Sequence, residues 1–343
     1  MEKIKVAING FGRIGRCFLK KAIEEPELEI VAINDLGKLE DMVYLLKYDS
    51  VYRRWNKSVE IKNEGLVIEE KEIKFLQERD PKKLPWKELE IDVAVESTGI
   101  FTAFEDAAMH LEAGAKRVVI SAPGKKKDPS SEIEGKNILL GVNEKNLEKY
   151  QITATTSCTT NATSPVFCIL KETIGIKKAF LTTIHAYTST QSLIDSPHKK
   201  DKRRGRAAAQ NIIPTSTGAA KCISEVFETK EIFDAIAIRV PVVCGSLAQL
   251  ILVLEKETTK EEILEILEKE SQSHRWQGLL KIEKDPIVSS DILGNPFPSI
   301  VDANSIKVID KNLVQILIWY DNESGYTSTL VEQVKRVGRL IKK

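Results

Sequence analysis

The chain has 343 residues, with 51 Lys or Arg, 50 Asp or Glu and a net charge of +1. This length predicts about two domains and a sizeable buried core. The balanced charge excludes a global field that would attract nucleic acid or membranes, and no apolar stretch approaches the length of a membrane span. The N-terminus does not have the pattern of a secretory signal, and the five cysteines form no Cys-x-x-Cys pair. These features predict a cytoplasmic protein with free thiols and no metal site.

A glycine-rich motif follows the first predicted strand. Residues 4–9 alternate between the two faces of a strand, the sequence GFGRIG comes next, and residues 16–23 have the pattern of a helix. This is the strand–turn–helix context that a dinucleotide-binding motif requires. Gly10 permits the tight turn, Gly12 lets the backbone approach a pyrophosphate, and Gly15 lets the helix pack closely on the strand.

An acidic residue ends the second predicted strand. Residues 28–34 form this strand, and Asp35 lies twenty residues after Gly15. A carboxylate at this position accepts hydrogen bonds from the adenosine ribose hydroxyls and repels a 2′-phosphate. The sequence therefore predicts a dinucleotide site that prefers NAD to NADP.

The rest of the first half continues to alternate strands and helices. Strands are predicted at 91–97 and 116–121, with a helix at 104–113 between them. Alternation of this kind predicts a mainly parallel, doubly wound sheet. Ser97 and Thr98 end the first of these strands, and small residues at that place suit a ligand crevice. Between residues 44 and 84 the sequence predicts short strands and turns without a clear order.

The second half has few helices between its strands, which favours an antiparallel or mixed sheet. Its strands are predicted at 179–185, 236–243, 246–254 and 313–320. A capping box at residues 259–262 predicts one helix start, and apolar residues at helical spacing predict a C-terminal helix that packs on a core. The basic segment 198–206, which we name the basic loop, resembles a nucleic-acid-binding tract. Because it is internal, an ordered loop that brings arginines to a phosphorylated substrate or a neighbouring subunit is the preferred interpretation.

One cysteine, Cys158, lies among small polar residues in the sequence SCTTN. Taken alone, a free cysteine is more often a small packed hydrophobe than a nucleophile. An ordinary thiol, with a pKa of about 8.5, is also only a few per cent ionised at neutral pH. A catalytic role for Cys158 therefore requires a base, and anion-binding residues if the substrate is phosphorylated.

These motifs occur in the order found in phosphorylating glyceraldehyde-3-phosphate dehydrogenase, and the chain resembles that family over nearly its whole length. The resemblance is carried by residues 8–16, 157–161, 185–188, 206–221, 239–241 and 319–326. It implies oxidation of D-glyceraldehyde 3-phosphate to 1,3-bisphosphoglycerate with NAD and inorganic phosphate, through thiohemiacetal and thioester intermediates on the cysteine. This reaction belongs to glycolysis and gluconeogenesis.

The resemblance also implies roles for individual residues. Cys158 is the nucleophile and His185 its base, and a helix start at Cys158 would lower the pKa of the thiol. Thr188 and Arg239 match the substrate-phosphate site. The inorganic-phosphate site is matched by Ser157, Thr159, Arg206, Thr217 and Gly218. The cofactor-binding residues are expected to be Gly10, Phe11, Gly12, Arg13, Ile14, Gly15, Asp35, Arg79, Ser97, Thr98, Ser121, Asn322 and Tyr326.

The expected fold is of the α/β class, with a Rossmann doubly wound parallel sheet at 1–156 as the NAD-binding domain. A catalytic α+β domain with a mixed or antiparallel sheet is expected at 157–321, and a C-terminal helix at 322–343 is expected to return to the NAD-binding domain. A homotetramer is implied by the resemblance. Two other functions stay open: an erythrose-4-phosphate dehydrogenase, in which water resolves the thioester, and a moonlighting nucleotide- or RNA-binding protein that uses the basic loop.

Overall fold

The computed structural model describes residues 2–229 and 231–342. Contacts divide the chain into two compact units. The first unit comprises Met1–Ile138, Asn143–Thr156 and Thr327–Lys343, and the second comprises Leu139–Val142 and Ser157–Tyr326. Within the described residues, no helix combines the length and the apolar character needed to cross a membrane.

The first unit is built on a nine-stranded sheet whose order is β10-β11-β9-β8-β1-β2-β7-β6-β5. Its strands are β1 (Ile4–Asn9), β2 (Leu28–Asn34), β5 (Val59–Lys62), β6 (Gly65–Ile68), β7 (Lys71–Leu76), β8 (Val93–Glu96), β9 (Arg117–Ile120), β10 (Gly135–Asn137) and β11 (Ile152–Ala154). A small hairpin adds β3 (Tyr48–Asp49) and β4 (Arg53–Arg54). Neighbouring strands from β10 to β7 are parallel, and β7, β6 and β5 form an antiparallel meander.

Four helices connect the strands of this sheet. They are α1 (Arg13–Ala22), α2 (Leu39–Lys47), α3 (Phe104–Ala107) and α4 (Met109–Glu112). The single helix predicted at 104–113 is divided at Ala108, whose carbonyl accepts the N–H of Leu111 in an i→i+3 bond that tightens the turn. β1 and β2 have the predicted bounds, because their apolar side chains leave a continuous buried face.

The second unit contains an eight-stranded mixed sheet with the order β13-β14-β12-β15-β19-β17-β16, and β18 pairs with β19. Its strands are β12 (Ile176–Ala186), β13 (Ile213–Thr215), β14 (Phe233–Val240), β15 (Ser246–Leu254), β16 (Leu280–Glu283), β17 (Ser299–Asp302), β18 (Lys307–Ile309) and β19 (Leu313–Tyr320). The helices α5 (Cys158–Thr173), α6 (Ala219–Phe227) and α7 (Lys260–Ser271) complete it. The pairs β12–β14 and β16–β17 are parallel and the others antiparallel, so the predicted fold class is confirmed.

The units differ from the expected domain bounds in two places. The segment Leu139–Val142 groups with the second unit, where Arg275 Nε donates to the Gly141 carbonyl. The last helix, α8 (Ser324–Ile341), starts in the second unit, where the Asp321 carboxylate accepts the N–H of Ser324. From Thr327 onward the chain groups with the first unit. Residues 322–326, which were predicted as the start of the C-terminal segment, therefore group with the second unit.

Candidate active site

Cys158 is the first residue of α5. Ser157 is the N-cap, and its Oγ accepts the Thr160 N–H at 3.1 Å. Ser is a favoured cap because its side-chain oxygen satisfies an N–H that has no partner within the helix. The sequence SCTTN therefore places the thiol at the positive end of the helix, as its pattern predicts.

The Cys158 thiol contacts an imidazole in the same unit. Its Sγ lies 3.4 Å from Nε2 of His185, which is buried near the end of β12. On the other side of the ring, Nδ1 lies 2.6 Å from the Ala186 carbonyl oxygen and 2.8 Å from Nη1 of Arg239. Parallel pairing puts Arg239 on β14 directly opposite His185, so the sheet register brings the guanidinium to the ring.

Burial and charge keep this thiol–imidazole pair neutral. Burial, together with the positive charge of Arg239, lowers the pKa of His185 to about 3. Burial also raises the pKa of the Cys158 thiol above its usual value, although Arg239 and hydrogen bonds from Thr159 act in the opposite direction. The lowered thiol pKa expected from the helix start is therefore outweighed by desolvation. The Ala186 carbonyl can only accept, so Nδ1 carries the hydrogen in the tautomer that leaves Nε2 free to take a proton. Thiolate formation in this arrangement requires transfer of the thiol proton to Nε2 as the nucleophile reacts.

A buried tyrosine supports the site from the central strands. The Tyr320 hydroxyl lies 2.9 Å from Thr159 Oγ1 and 2.7 Å from Thr183 Oγ1. Its ring meets the His185 ring edge-on, with centroids 5.9 Å apart. Thr159, expected as a phosphate ligand, is thus buried, and its hydroxyl contacts Tyr320.

The basic loop presents two arginines differently. Arg204 Nε donates to Thr215 Oγ1 at 2.8 Å, and its Nη2 donates to the Ser216 carbonyl at 3.0 Å. Arg206 instead forms an exposed ion pair with Asp195, with Nε and Oδ2 separated by 2.8 Å. The structure therefore favours Arg204, and not the predicted Arg206, as the guanidinium beside the 215–218 segment.

The remaining anion-site predictions lie at loop ends of the second unit. The Thr188 hydroxyl is exposed and lies 2.8 Å from that of Thr190. Thr217 Oγ1 accepts the N–H of Ala219, and Gly218 is the N-cap of α6. Burial lowers the pKa of Arg239, and the positive charge of Arg204 contributes to this shift. Two neighbouring guanidinium groups repel each other, and an anion between them would relieve that repulsion.

The glycine motif forms a close-packed turn at the end of β1 in the first unit. Gly10 has φ +94°, and a Cβ added to it would lie 2.5 Å from the Thr98 nitrogen. A Cβ on Gly15 would lie 2.2 Å from the Gly10 carbonyl oxygen, whereas Gly12, the N-cap of α1, has open space on that side. These positions fit a backbone cradle for a pyrophosphate.

The other predicted cofactor residues of this unit surround the same strand ends. Asp35 accepts the N–H groups of Phe11 and Gly37 at 2.7 and 2.8 Å, which fixes its carboxylate beside the glycine turn. Arg13 pairs with Asp49, with Nη2 and Oδ1 separated by 3.2 Å. Ile14 lies in the first turn of α1. Ser97 and Ser121 directly follow β8 and β9, and the exposed Arg79 follows β7.

Both halves of the chain match domains of one known protein family. Residues 4–104 match the family described as "Glyceraldehyde 3-phosphate dehydrogenase, NAD binding domain", and residues 157–322 match its C-terminal domain. The chain belongs to the glyceraldehyde 3-phosphate dehydrogenase family. The enzymes named glyceraldehyde-3-phosphate dehydrogenase from Clostridium pasteurianum and Geobacillus stearothermophilus are 46% and 44% identical to it. The alignments cover 98% of this chain and 99% of the former protein, and 96% of each chain for the latter.

As a member of the glyceraldehyde 3-phosphate dehydrogenase family, the chain is an NAD-dependent dehydrogenase. The glycine turn and Asp35 described above fit this cofactor. Within residues 2–229 and 231–342, no three His, Cys, Asp or Glu side chains are grouped so that they could hold a metal ion.

Two predicted cofactor residues, Asn322 and Tyr326, lie in the second unit. Asn322 Oδ1 accepts the Ser246 hydroxyl and the Gly245 N–H at 3.0 and 3.1 Å, while Tyr326 is buried in the first turn of α8. With Oδ1 committed to these donors, the amide nitrogen of Asn322 is the atom left for a cofactor.

Two residues of the site, Arg204 and Tyr320, were not predicted from the sequence. Arg204 stands in the same basic run as Arg206, and its inward direction depends on the short 3₁₀ turn Lys202–Gly205 that Asp201 caps. Tyr320 ends a predicted strand on its buried face, so alternation from Leu313 indicated burial but not its contacts with the threonines.

Proposed function

We propose that this enzyme oxidises glyceraldehyde 3-phosphate to 1,3-bisphosphoglycerate with NAD and inorganic phosphate. The observation that carries the proposal is the Cys158–His185 contact of 3.4 Å at the start of α5, with the Arg239 guanidinium 2.8 Å from the same imidazole. A nucleophile, a base and a cation for a phosphorylated substrate are thereby present within one unit.

Cys158 performs the covalent steps of this mechanism. Its sulfur adds to the aldehyde carbon while His185 Nε2 takes the thiol proton and passes it to the carbonyl oxygen, which gives a thiohemiacetal and leaves the imidazole neutral. Bound NAD supplies the hydride acceptor for the oxidation. His185 takes the hydroxyl proton of the thiohemiacetal as the thioester forms, and N–H groups at the start of α5 stabilise the oxyanion. A phosphate oxygen then attacks the thioester carbon, the C–S bond breaks, and the acyl phosphate leaves a thiolate on Cys158.

Two groups of residues serve the two phosphates in this proposal. Arg239 and Thr188 bind the phosphate of the substrate. Inorganic phosphate is bound by Arg204, Ser157, Thr217 and the N–H groups at Thr159 and Gly218. Arg206 is assigned to the loop itself, because its ion pair with Asp195 is exposed.

The phosphate dependence of NADH formation tests the reaction. With glyceraldehyde 3-phosphate and NAD, we expect NADH formation that requires phosphate or arsenate. The same assay with erythrose 4-phosphate distinguishes the alternative, since water would resolve that thioester without phosphate. NADH formation that is equally fast without either anion would contradict the phosphorylating mechanism.

Replacing one arginine of the basic loop tests the phosphate assignment. Arg204→Gln is expected to raise the KM for inorganic phosphate by about tenfold or more, because a charge-assisted hydrogen bond to the anion is lost. Arg206→Gln removes the same charge from the same loop and is the matched control, with an expected change within about twofold. A larger effect of Arg206→Gln would mean that Arg206, and not Arg204, binds inorganic phosphate.

Asp35 determines the choice of cofactor in this proposal. Asp35→Ala is expected to shift the ratio of kcat/KM values for NAD and NADP by at least about tenfold towards NADP, because the carboxylate that repels the 2′-phosphate is gone. Asp35→Asn keeps an acceptor for the Phe11 N–H and separates the charge effect from the loss of that bond. An unchanged ratio in both variants would contradict the ribose role of Asp35.

We further propose that the enzyme is a cytoplasmic homotetramer, as the family resemblance implies, and that it does not bind nucleic acid. The near-neutral charge of the chain, with 51 basic and 50 acidic residues, gives no attraction to nucleic acid, and the basic loop is tied by ion pairs within its own fold. Sedimentation of the purified enzyme measures the assembly, and a monomer at micromolar concentration would contradict it.

A further inference from the structure

A buried carboxylate lies beneath the glycine turn and has no part in the chemistry described above. Glu96 ends β8 and is 2% exposed. Its Oε2 accepts Asn9 Nδ2–H at 2.6 Å and lies 3.0 Å from Nε2 of His110. Its Oε1 accepts the Thr98 N–H at 2.8 Å and also the Thr98 hydroxyl.

The neighbouring side chains fix the hydrogen positions of this cluster. The indole N–H of Trp86 contacts Nδ1 of His110 at 3.0 Å, and an indole can only donate. Nδ1 is therefore an acceptor, so Nε2 carries the hydrogen and donates it to Glu96. Asn9, His110 and Thr98 thus all donate to the Glu96 carboxyl group, so both of its oxygens have partners within the cluster.

Asn9 and Thr98, at the two ends of this cluster, adjoin the turns of the cofactor site. Asn9 immediately precedes Gly10, and its Oδ1 accepts Nδ2–H of Asn34, the residue before Asp35. Thr98 packs so closely on Gly10 that a Cβ there would lie 2.5 Å from the Thr98 nitrogen. A change at Glu96 is thus transmitted to both turns without contact with the cofactor.

We propose that Glu96 is a positioning residue for NAD. Its buried carboxylate fixes the turn after β1 and the turn after β8 in the arrangement that receives the dinucleotide. This function concerns cofactor affinity and not the aldehyde chemistry, so it stands or falls separately from the identity of the substrate. His110 and Trp86 act behind Glu96 by fixing the direction of its hydrogen bond.

A second buried carboxylate provides a matched control. Asp92 is the residue before β8, at the end of the strand opposite to Glu96, and is 0% exposed. It accepts the Lys5 N–H at 2.9 Å and pairs with Lys116 and Lys342 at 2.8 and 3.0 Å. Asp92→Asn therefore removes a buried charge at the end of β8 that is opposite to the turns that Glu96 holds.

The test measures the Kd for NAD by titration calorimetry, and kcat at saturating NAD, in the full-length enzyme. Glu96→Gln places an amide against a cluster of donors, and we expect the Kd to rise about tenfold while kcat changes less than about twofold. Asp92→Asn is expected to lower Tm by at least as much as Glu96→Gln does and to leave the Kd unchanged. Equal Kd changes in the two variants, or a wild-type Kd in Glu96→Gln, would overturn the proposal.

A second variant covers failure of Glu96→Gln to fold. Trp86→Phe keeps an aromatic ring in the core and removes the indole N–H that fixes the His110 tautomer, together with one ring of the buried side chain. We expect a Kd for NAD raised about threefold, because His110 is then free to turn an acceptor towards Glu96. A wild-type Kd in Trp86→Phe, with Glu96→Gln unfolded, would also overturn the proposal.

Discussion

Cys158→Ser is expected to lower kcat by about a thousandfold or more while NAD still binds. A serine hydroxyl has a far higher pKa than a thiol, and the buried imidazole of His185, with a pKa of about 3, is a weak base for it. A thioester cannot form on oxygen, so the step in which phosphate attacks an activated acyl group is lost too. Stopped-flow NADH formation and a separate NAD titration measure the two parts.

Cys222→Ser is the matched control for this substitution. Cys222 is buried in α6, and burial raises the pKa of its thiol to about 11. The same atom change there is expected to leave kcat within about twofold of the wild type. Activity of Cys158→Ser above about a tenth of the wild-type value would remove Cys158 as the nucleophile.

Alkylation gives an independent view of the same thiol. Cys158 and Cys17 are partly exposed, whereas Cys168, Cys222 and Cys244 are buried. Burial also raises the pKa of Cys168 to about 12, so its thiolate fraction is negligible. We expect iodoacetamide to label Cys158 first and to abolish activity, because His185 Nε2 lies 3.4 Å from its sulfur and can take the thiol proton as the sulfur reacts. Peptide mass analysis identifies the labelled residue. Loss of activity with label on another cysteine would contradict the assignment.

Alternation and capping made much of this fold predictable from sequence. β15 and β19 have the predicted bounds because each alternates buried and half-exposed side chains along its length. Thr259 caps α7 by accepting the Glu262 N–H, as the capping box predicted. These features are local in sequence, so a single chain is enough to identify them.

The features that sequence did not predict depend on contacts between distant parts of the chain. Glu96 reaches Asn9 across 87 positions, and Thr159 reaches Tyr320 across 161. No local pattern distinguishes these polar residues from others at strand ends or helix starts. The same holds for the pKa of the Cys158 thiol, where the helix start was recognisable but the degree of burial was not.

His185→Asn is the second substitution expected to have a large effect, with kcat lowered by about 10²- to 10⁴-fold. Asparagine fits the space beside Arg239 but cannot take a proton, so both the thiol proton and the thiohemiacetal proton lose their acceptor. His274→Asn, at an exposed position of the same unit, is the control and is expected to leave kcat unchanged. Retention of more than about a tenth of the activity in His185→Asn would contradict the base assignment.

The pH dependence tests whether Arg239 controls the thiol–imidazole pair. Because burial and Arg239 lower the pKa of His185 to about 3, the imidazole stays neutral as the pH falls from 8 to 5 and gives no loss of activity there. Arg239→Gln removes the repulsion that opposes protonation of the imidazole and the attraction that favours the Cys158 thiolate. Both pKa values should therefore rise, and the midpoint of the alkylation rate against pH should move upward. A midpoint that is unchanged or lower would mean that the guanidinium does not control the pair.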